Sequence, residues 1–210
     1  MRSRTATTLE TKTVRRSEIL EAEAECFKES GFHATSVDDV ARRLGCTKGK
    51  VYYYYVSKTE LFIDVHREGM ARLFEAVRPA LESKGSSIEV LEAMLLAHAQ
   101  AMLEHHTFES VVAQGVQVHR YAATTPEERK ALDEQIATRD RFEGLFKKQI
   151  EIARKDGLPG KLDVSVAVKM MLGALHWSIV GISRKRTRDR MRARLAEKMV
   201  RPLMDGLRAR

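Results

Sequence analysis

The sequence predicts an all-α protein, with an N-terminal three-helix helix-turn-helix domain followed by a helical C-terminal domain. Only 4 Pro and 12 Gly occur among 210 residues, and a chain so poor in helix breakers favours helices. Apolar residues recur every three or four positions in most segments, as amphipathic helices require. Residues 36–60 contain two short helical patterns around a glycine turn and then the start of another helix.

The composition excludes several classes of protein. With 43% hydrophobic and 31% charged residues the chain is globular, not disordered. No N-terminal apolar segment of signal-peptide type is present, and Cys26 and Cys46 fit a reduced cytoplasm. The most apolar run, 164–182, predicts a buried helix because polar side chains interrupt it. We therefore expect a cytoplasmic protein without a membrane partner.

The net charge of +8 alone would suggest a nucleic-acid partner, but its distribution weakens that inference. Residues 184–210 hold 11 Lys and Arg against 3 Asp and Glu, so the whole excess lies at the C-terminal end. A DNA-binding hypothesis must therefore rest on motifs and not on the charge of the chain.

The first 30 residues predict an arm and one helix. Residues 1–14 are polar and lack apolar periodicity, so we expect a flexible N-terminal arm, either a plain disordered terminus or one that touches DNA. Helix one is predicted from about Arg15 to Ser30, and Gly31 is expected to end it. Its inner face comprises Ile19, Ala22, Cys26 and Phe27.

Helices two and three form the predicted helix-turn-helix. Ser36 and Asp39 have the spacing of a capping box that starts helix two. Gly45 makes the turn, and Thr47 can cap helix three. The inner face of helix two comprises Val37, Val40, Ala41 and Leu44.

Longer helices follow the helix-turn-helix. Ser57 and Glu60 predict a second capping box, which opens a helix towards Lys84. Pro126 suits a first helical turn, and Asp163 can cap the helix after the Gly-Pro-Gly break. The remaining helices are predicted over about 87–105, 107–121, 126–156, 163–182 and 187–207.

Helix three carries the residue types that a DNA-recognition helix needs. Val51 and Tyr55 can pack inward, which leaves lysines and tyrosines outward to bind phosphates, sugars and base edges. Lys58 lies in the first turn of helix four, where backbone N–H groups favour a phosphate. The alternative is a packing unit with a tyrosine-rich surface. The predicted DNA contacts in and around 36–55 are Thr35, Ser36, Thr47, Lys48, Gly49, Lys50, Tyr53, Tyr54 and Lys58.

The motifs in residues 15–65 occur in a fixed order. They read Ile19-Leu20, Ala22, Phe27, Gly31-Phe32, Thr35-Ser36-Val37, Val40-Ala41, Gly45-Cys46-Thr47-Lys48-Gly49, Val51-Tyr52-Tyr53-Tyr54-Tyr55 and Ser57-Lys58-Thr59-Glu60-Leu61. This set resembles the TetR family of transcriptional regulators. Tyr55 stands where the family usually has Phe, and Cys46 where it usually has Val. A buried hydroxyl at position 55 would need a partner.

The resemblance implies a homodimer whose two recognition helices enter the major grooves of a pseudo-palindromic operator in double-stranded DNA. It also implies a C-terminal ligand-binding and dimerisation domain, no cofactor, and usual action as a repressor that a small molecule releases. The implied domains are an arm at 1–14, the helix-turn-helix domain at 15–62 and the C-terminal domain at 63–210.

The segment 164–182 predicts the dimer interface. Its pattern is apolar nearly all round, so one face can pack on its own domain and the other on a partner subunit. The alternative is the central helix of a monomer. The predicted interface, which includes the last helix, comprises Val168, Leu172, Leu175, Ile179, Met191, Leu195 and Met199.

Apolar side chains of the C-terminal part could line an effector cavity between helices, although each could equally be ordinary core. The segments 139–148 and 172–177 look like TetR regulators that sense acyl-CoA or related acids. Basic side chains at 139, 141, 147 and 148 could meet phosphates or form a solvated face. The predicted effector residues are Met102, Phe108, Val112, Val116, Tyr121, Phe142, Phe146, Met171 and Trp177.

Other functional patterns are weaker. The histidines at 98, 105, 106, 119 and 176 have irregular spacing, so we expect no metal site. The sequence lacks a phosphate-binding glycine loop, Gly-x-Ser-x-Gly and His-Glu-x-x-His, so we expect no enzyme. The Arg-rich segment 184–194 is either a solvated helix end or a site for an anionic ligand or acidic partner.

The leading hypothesis is a ligand-responsive, dimeric DNA-binding repressor whose effector is a small apolar or acyl-CoA-like molecule. Two alternatives stay open at this point: an activator of the same family, and an architectural DNA-binding protein that responds to no ligand.

Overall fold

The structure, a computed structural model, describes the backbone of residues 3–123, 125–158, 163–179 and 189–208, with side chains from residue 16 onwards. All regular secondary structure within these ranges is α-helical, as the sequence predicts. The helices are α1 Ser3–Ala34, α2 Val37–Arg43, α3 Lys48–Tyr52, α4 Lys58–Leu81, α5 Ser87–Glu104, α6 His106–Val112, α7 Gly115–Tyr121, α8 Pro126–Lys155, α9 Val164–Ser178 and α10 Asp189–Arg208.

Helix α1 differs from its predicted start. It begins at Ser3 instead of about Arg15, so the backbone expected to be a flexible arm is helical from Ser3 onwards. Extending an existing helix adds a hydrogen bond for each residue fixed, whereas starting one does not, so a polar segment can continue a neighbouring helix. Gly31 breaks the helical path with φ 75 and ψ 166, which confirms the predicted end.

Polar caps fix the starts of the helices around the turn. The capping box of α2 is confirmed, because Asp39 N–H donates to Ser36 Oγ at 3.2 Å and Ser36 N–H to Asp39 Oδ2 at 2.8 Å. At α4 the box is altered. Glu60 N–H donates to Ser57 Oγ at 3.1 Å, but the Glu60 carboxylate accepts from Val56 N–H at 2.6 Å.

The single helix predicted over 107–121 is two helices, α6 and α7. Gly115 begins α7 against His66, and a Cβ there would lie 2.8 Å from the His66 ring. The preceding Gln114 accepts from Phe32 N–H and donates to the Phe27 carbonyl, both at 3.0 Å. The helix break therefore places one side chain against the end of α1, a role that periodicity does not reveal.

The chain divides into two compact units, and the division does not follow chain order. The first unit comprises Met1–Gly69 with Thr107–Ile136, and the second comprises Met70–His106 with Ala137–Arg210. Helices α4 and α8 therefore contribute to both units. The predicted boundary at 62/63 stays a prediction about functional domains.

Each unit has its own apolar core. In the second unit α10 packs on α5 and α9, and the rings of Phe74, His98, Phe142 and Phe146 cluster. The core of the first unit includes Ile19, Phe27, Phe32, Val51, Tyr55, Phe62, Val111, Val118 and Leu132.

Candidate nucleic-acid interface

Helices α2 and α3 form a helix-turn-helix through a tight four-residue connection. Gly45 has φ 63, a conformation that residues with a side chain rarely adopt. Cys46 N–H donates to the Ala41 carbonyl at 2.9 Å and closes the turn. The turn therefore fixes the direction in which α3 leaves α2.

The inner face of the motif is anchored in the core of the first unit. Val51 and Tyr55 are 1% and 3% exposed, so the predicted inward face is confirmed. Beneath them Phe62 packs edge-on to Phe27 and Phe32, with ring centroids 5.5 Å and 5.2 Å apart. Because α3 has only five residues, this packing, and not helix propensity, holds its orientation.

The opposite face of α3 is open to solvent. The side chain of Tyr53 is 72% exposed and meets the ring of Tyr54 edge-on, with centroids 5.1 Å apart. Lys50 is exposed and, among the described residues, forms no hydrogen bond or ion pair. The structure thus brings the predicted outward residues onto one accessible face: Thr47, Lys48, Gly49, Lys50 and Tyr53, with Tyr54 half-buried beside them.

Lys48 is the one predicted contact on this face that forms an ion pair among the described residues. Its Nζ lies 2.8 Å from Asp38 Oδ2 and 5.8 Å from the centroid of the Tyr52 ring. The hydrogen bond and charge of Asp38 raise the pKa of Lys48. A phosphate that binds Lys48 must therefore compete with Asp38.

Two predicted contacts at the motif start and turn are polar but differ in role. Ser36 is exposed and holds the Asp39 carboxylate, and its hydrogen bonds lower the pKa of Asp39. Thr47 has the backbone conformation of an N-cap but makes no side-chain cap bond. Ser36 therefore serves the helix start, and the hydroxyl of Thr47 faces solvent.

The prediction for Thr35 is corrected. Its side chain is 3% exposed, and its hydroxyl lies 2.7 Å from the Gly31 carbonyl and 3.1 Å from the Cys26 carbonyl. These carbonyls are left without helical donors where α1 breaks, so Thr35 satisfies the helix end and is not available to DNA.

The prediction for Lys58 is corrected in the same way. Its ammonium donates to the carbonyls of Phe32 at 2.8 Å, Thr35 at 3.0 Å and His33 at 3.3 Å. It also lies 4.5 Å from the centroid of the Phe32 ring, and partial burial lowers its pKa. All three donors are thus engaged, and Lys58 ties α4 to the turn between α1 and α2.

Sequence reasoning missed a buried carboxyl behind the motif. Glu23 is 0% exposed, and neither carboxyl oxygen has a hydrogen-bond partner among the described residues. Burial, helped by the charge of Asp64, raises the pKa of Glu23 to about 9. Arg16 and Arg67 form ion pairs with Asp64, while burial and the nearby carboxylates raise the pKa of Tyr55.

Replacing Glu23 by Gln should stabilise the protein above neutral pH. Between the unfolded pKa near 4.5 and the folded pKa near 9, the folded state binds the extra proton, so stability falls as pH rises. Gln has no proton to lose, and we expect a gain of about 1–3 kcal/mol at pH 8, where structural relaxation limits the cost of the buried charge. Urea unfolding at pH 5 and pH 8 measures it.

The exposed Glu21 on the same helix provides the control, because Glu21→Gln should leave the pH dependence of wild type unchanged. An equal loss of stability in Glu23→Gln at both pH values would contradict a protonated Glu23.

Two family profiles match the chain. The profile of the tetR family of bacterial regulatory proteins matches residues 19–65, and that of the tetracyclin repressor-like C-terminal domain matches residues 84–180. The chain belongs to the TetR family.

Similar proteins include other regulators of this family. A transcriptional repressor of Mycobacterium tuberculosis, KstR2, is 34% identical over 100 residues, which are 48% of this chain and 50% of the repressor. The matched part thus spans about half the length of that relative. PfmR, a TetR family transcriptional regulator of Thermus thermophilus, has a TM-score of 0.70 at 28% identity, covering 87% of this chain and 97% of PfmR. AibR, solved with isovaleryl coenzyme A and operator DNA, shares the fold with a TM-score of 0.67 at 21% identity, covering 86% of this chain and 95% of AibR.

The nine predicted effector residues of this TetR protein are not brought together in one unit. Met102, Phe142, Phe146 and Met171 are buried in the second unit, whereas Phe108 and Val112 are buried in the first. The prediction of a cavity-lining role is corrected for three side chains that lie at the surface of their units, because a side chain on an outward helix face cannot enclose a ligand. They are Val116, Tyr121 and Trp177, which are 44%, 65% and 76% exposed.

The predicted dimer residues of α9 are also corrected. Val168, Leu175 and Ile179 are at most 2% exposed within the single chain, so they form the core of the second unit and not its surface. The outer face of α9 carries the other apolar stripe, Val166, Met170 and Trp177, which are 51%, 66% and 76% exposed. On α10 Met191 is 56% exposed, and Leu172, Leu195 and Met199 are half-buried.

Other expectations concern metals, membranes and the basic segment. No group of three or more His, Cys, Asp or Glu among the described residues could hold a metal ion. No helix in the described part of the chain is both long and apolar enough to cross a membrane. Of the Arg-rich segment, residues 184–188 lie outside the described residues.

Proposed function

We propose that this TetR protein is a homodimeric DNA-binding transcriptional repressor that a small apolar or acyl-CoA-like effector releases from a pseudo-palindromic operator. One observation carries the proposal: α3 is held by its buried inner face and presents exposed lysines and tyrosines on the other. A short helix with this division of faces suits the major groove.

The DNA contacts are divided by role. Lys50 and Lys48 supply phosphate charge or donate to guanine edges, and Tyr53 binds a phosphate or packs on a sugar. Tyr54, Gly49 and Thr47 lie beside them, where a backbone N–H or hydroxyl reaches a phosphate oxygen. Ser36 adds a contact at the start of α2.

The dimer forms through the outer face of α9, extended by Met191 of α10. Trp177 and Met170 are exposed to an extent that is unusual for large apolar side chains, and contiguous apolar surface of this kind marks an interface. Association of two copies would place two such stripes against each other and bury them.

The effector occupies the second unit. Its interior is lined with methionine and phenylalanine side chains, which suit a hydrocarbon group. The structure of AibR contains isovaleryl coenzyme A, which supports an acyl-CoA thioester as the effector class.

Operator binding with and without effectors tests the proposal. The purified protein should bind its own upstream promoter fragment more weakly as salt rises, since phosphate contacts release counterions. Isovaleryl-CoA, phenylacetyl-CoA and stearoyl-CoA are then added in turn, and release by one of them is the expected result. Tight, salt-dependent binding that no thioester disturbs would retain the DNA-binding function and reject the effector class.

A further inference from the structure

The interior of the second unit contains a histidine that its surroundings do not explain. His98 on α5 is 3% exposed, and its ring lies 5.3 Å from that of Phe142 and 6.0 Å from that of Phe146, centroid to centroid. Among the described residues, no hydrogen-bond partner reaches its buried Nδ1. A nitrogen left unpaired among aromatic rings destabilises the unit unless something binds to it.

A second histidine of the same unit shares this property. His176 on α9 has a buried Nε2 without a partner among the described residues, and its charge is felt at His98. Burial lowers the pKa of His98 to about 3, and burial together with Arg139 lowers that of His176. Both rings are therefore neutral at pH 7, and each offers one donor and one acceptor.

Neutral rings in apolar surroundings select a particular ligand group. They cannot compensate a buried carboxylate charge, but an N–H donates well to an uncharged carbonyl oxygen. Phe142 and Phe146 beside His98 supply apolar surface for a hydrocarbon chain. The site therefore fits a molecule whose carbonyl is flanked by an apolar group.

We infer that His98 and His176 form the polar subsite of the effector site and donate hydrogen bonds to the acyl carbonyl oxygen of a thioester. The hydrocarbon chain lies against Phe142 and Phe146. The inference rests on the proposed function, since it specifies how the same effector is recognised. It makes the two histidines the residues that distinguish a thioester from a ligand without the carbonyl.

The test compares ligands that differ only in that oxygen. Isovaleryl-CoA and stearoyl-CoA are titrated against their thioethers, S-isopentyl-CoA and S-octadecyl-CoA, using wild type, His98→Leu and His176→Leu. The wild type should bind one thioester at least about 10-fold more tightly than its thioether, as expected for a hydrogen bond in an apolar site. Either variant should lose this preference while its affinity for the thioether stays within about 2-fold. His33→Leu, an exposed histidine of the first unit, is the control and should retain the preference.

The melting temperature of the ligand-free protein gives a second readout. His98→Leu should melt a few degrees higher than wild type, since it removes an unpaired polar atom and leaves an apolar side chain of similar volume. A lower melting temperature with the thioester preference retained would make His98 an ordinary core residue and overturn the inference.

The outcomes separate the inference from the proposed function. Equal binding of thioester and thioether by wild type would overturn the inference and leave the acyl-CoA effector standing. Tighter binding of stearate than of stearoyl-CoA, lost in His98→Leu, would overturn the carbonyl assignment in favour of an acid. Failure of every CoA compound to bind would reject the effector class and the inference with it, whereas operator binding would stand.

Discussion

Replacing Trp177 by Glu should dissociate the proposed homodimer into monomers. Trp177 is 76% exposed in the single chain and shares the outer face of α9 with Met170 and Val166. In a symmetric interface each substitution occurs twice, so two carboxylates would be buried without partners against an apolar surface. We expect the dimer dissociation constant to rise by at least about 100-fold, which corresponds to about 3 kcal/mol.

Sedimentation equilibrium over a range of concentrations measures the change directly. Ile152→Glu on α8 is the matched control, because Ile152 is also apolar and exposed but lies outside the proposed interface. It should dimerise as wild type does. Operator affinity should fall with Trp177→Glu, because a monomer contacts one half-site.

An unchanged dimer in Trp177→Glu would reject the outer face of α9 as the interface. A substitution at Leu175 could not decide the question, because Leu175 is 1% exposed within the single chain. A charge there would unfold the second unit and lower the dimer population for a trivial reason.

Replacing Lys50 by Met should weaken operator binding without changing stability. Lys50 is exposed on α3 and unpaired among the described residues, so its charge contributes to the surface and not to the core. Loss of a phosphate contact in each subunit should reduce affinity by about 10- to 100-fold at 0.1 M salt and lower the salt slope by about 1 for each phosphate. The melting temperature should stay within about 1 °C of wild type.

Lys58→Met is the informative comparison. Its ammonium engages three backbone carbonyls, so this variant should lower the melting temperature by several degrees. Its operator affinity should follow the loss of folded protein. Fluorescence anisotropy with a labelled operator, beside thermal unfolding, separates the two effects. A large affinity loss in Lys58→Met at full stability would restore Lys58 as a direct phosphate contact.

The helix-turn-helix was predictable because its signals are local. The capping box of Ser36 and Asp39, the positive φ of Gly45 and the inward Val51 each depend on residues within one or two turns. Helical periodicity likewise predicted an all-α chain and the two apolar faces of α9. These features determined the fold class and the motif that carries the proposed DNA contacts.

The roles of Thr35 and Lys58 were not predictable, because both depend on carbonyls that another helix leaves without donors. A polar side chain beside a recognition helix gives the same pattern whether it faces DNA or the end of α1. The break at Gly115 has a similar origin, since the close approach of His66 comes from a distant segment.

The sequence by itself determined that the chain is helical, where the helix-turn-helix lies and that α9 has two apolar faces. Only the tertiary structure decided which face of α9 is buried, because periodicity measures hydrophobicity around a helix and carries no information about its neighbours. The same holds for Glu23 and His98. A carboxyl or imidazole in an amphipathic pattern becomes a buried, neutral group only when segments far apart in the chain enclose it.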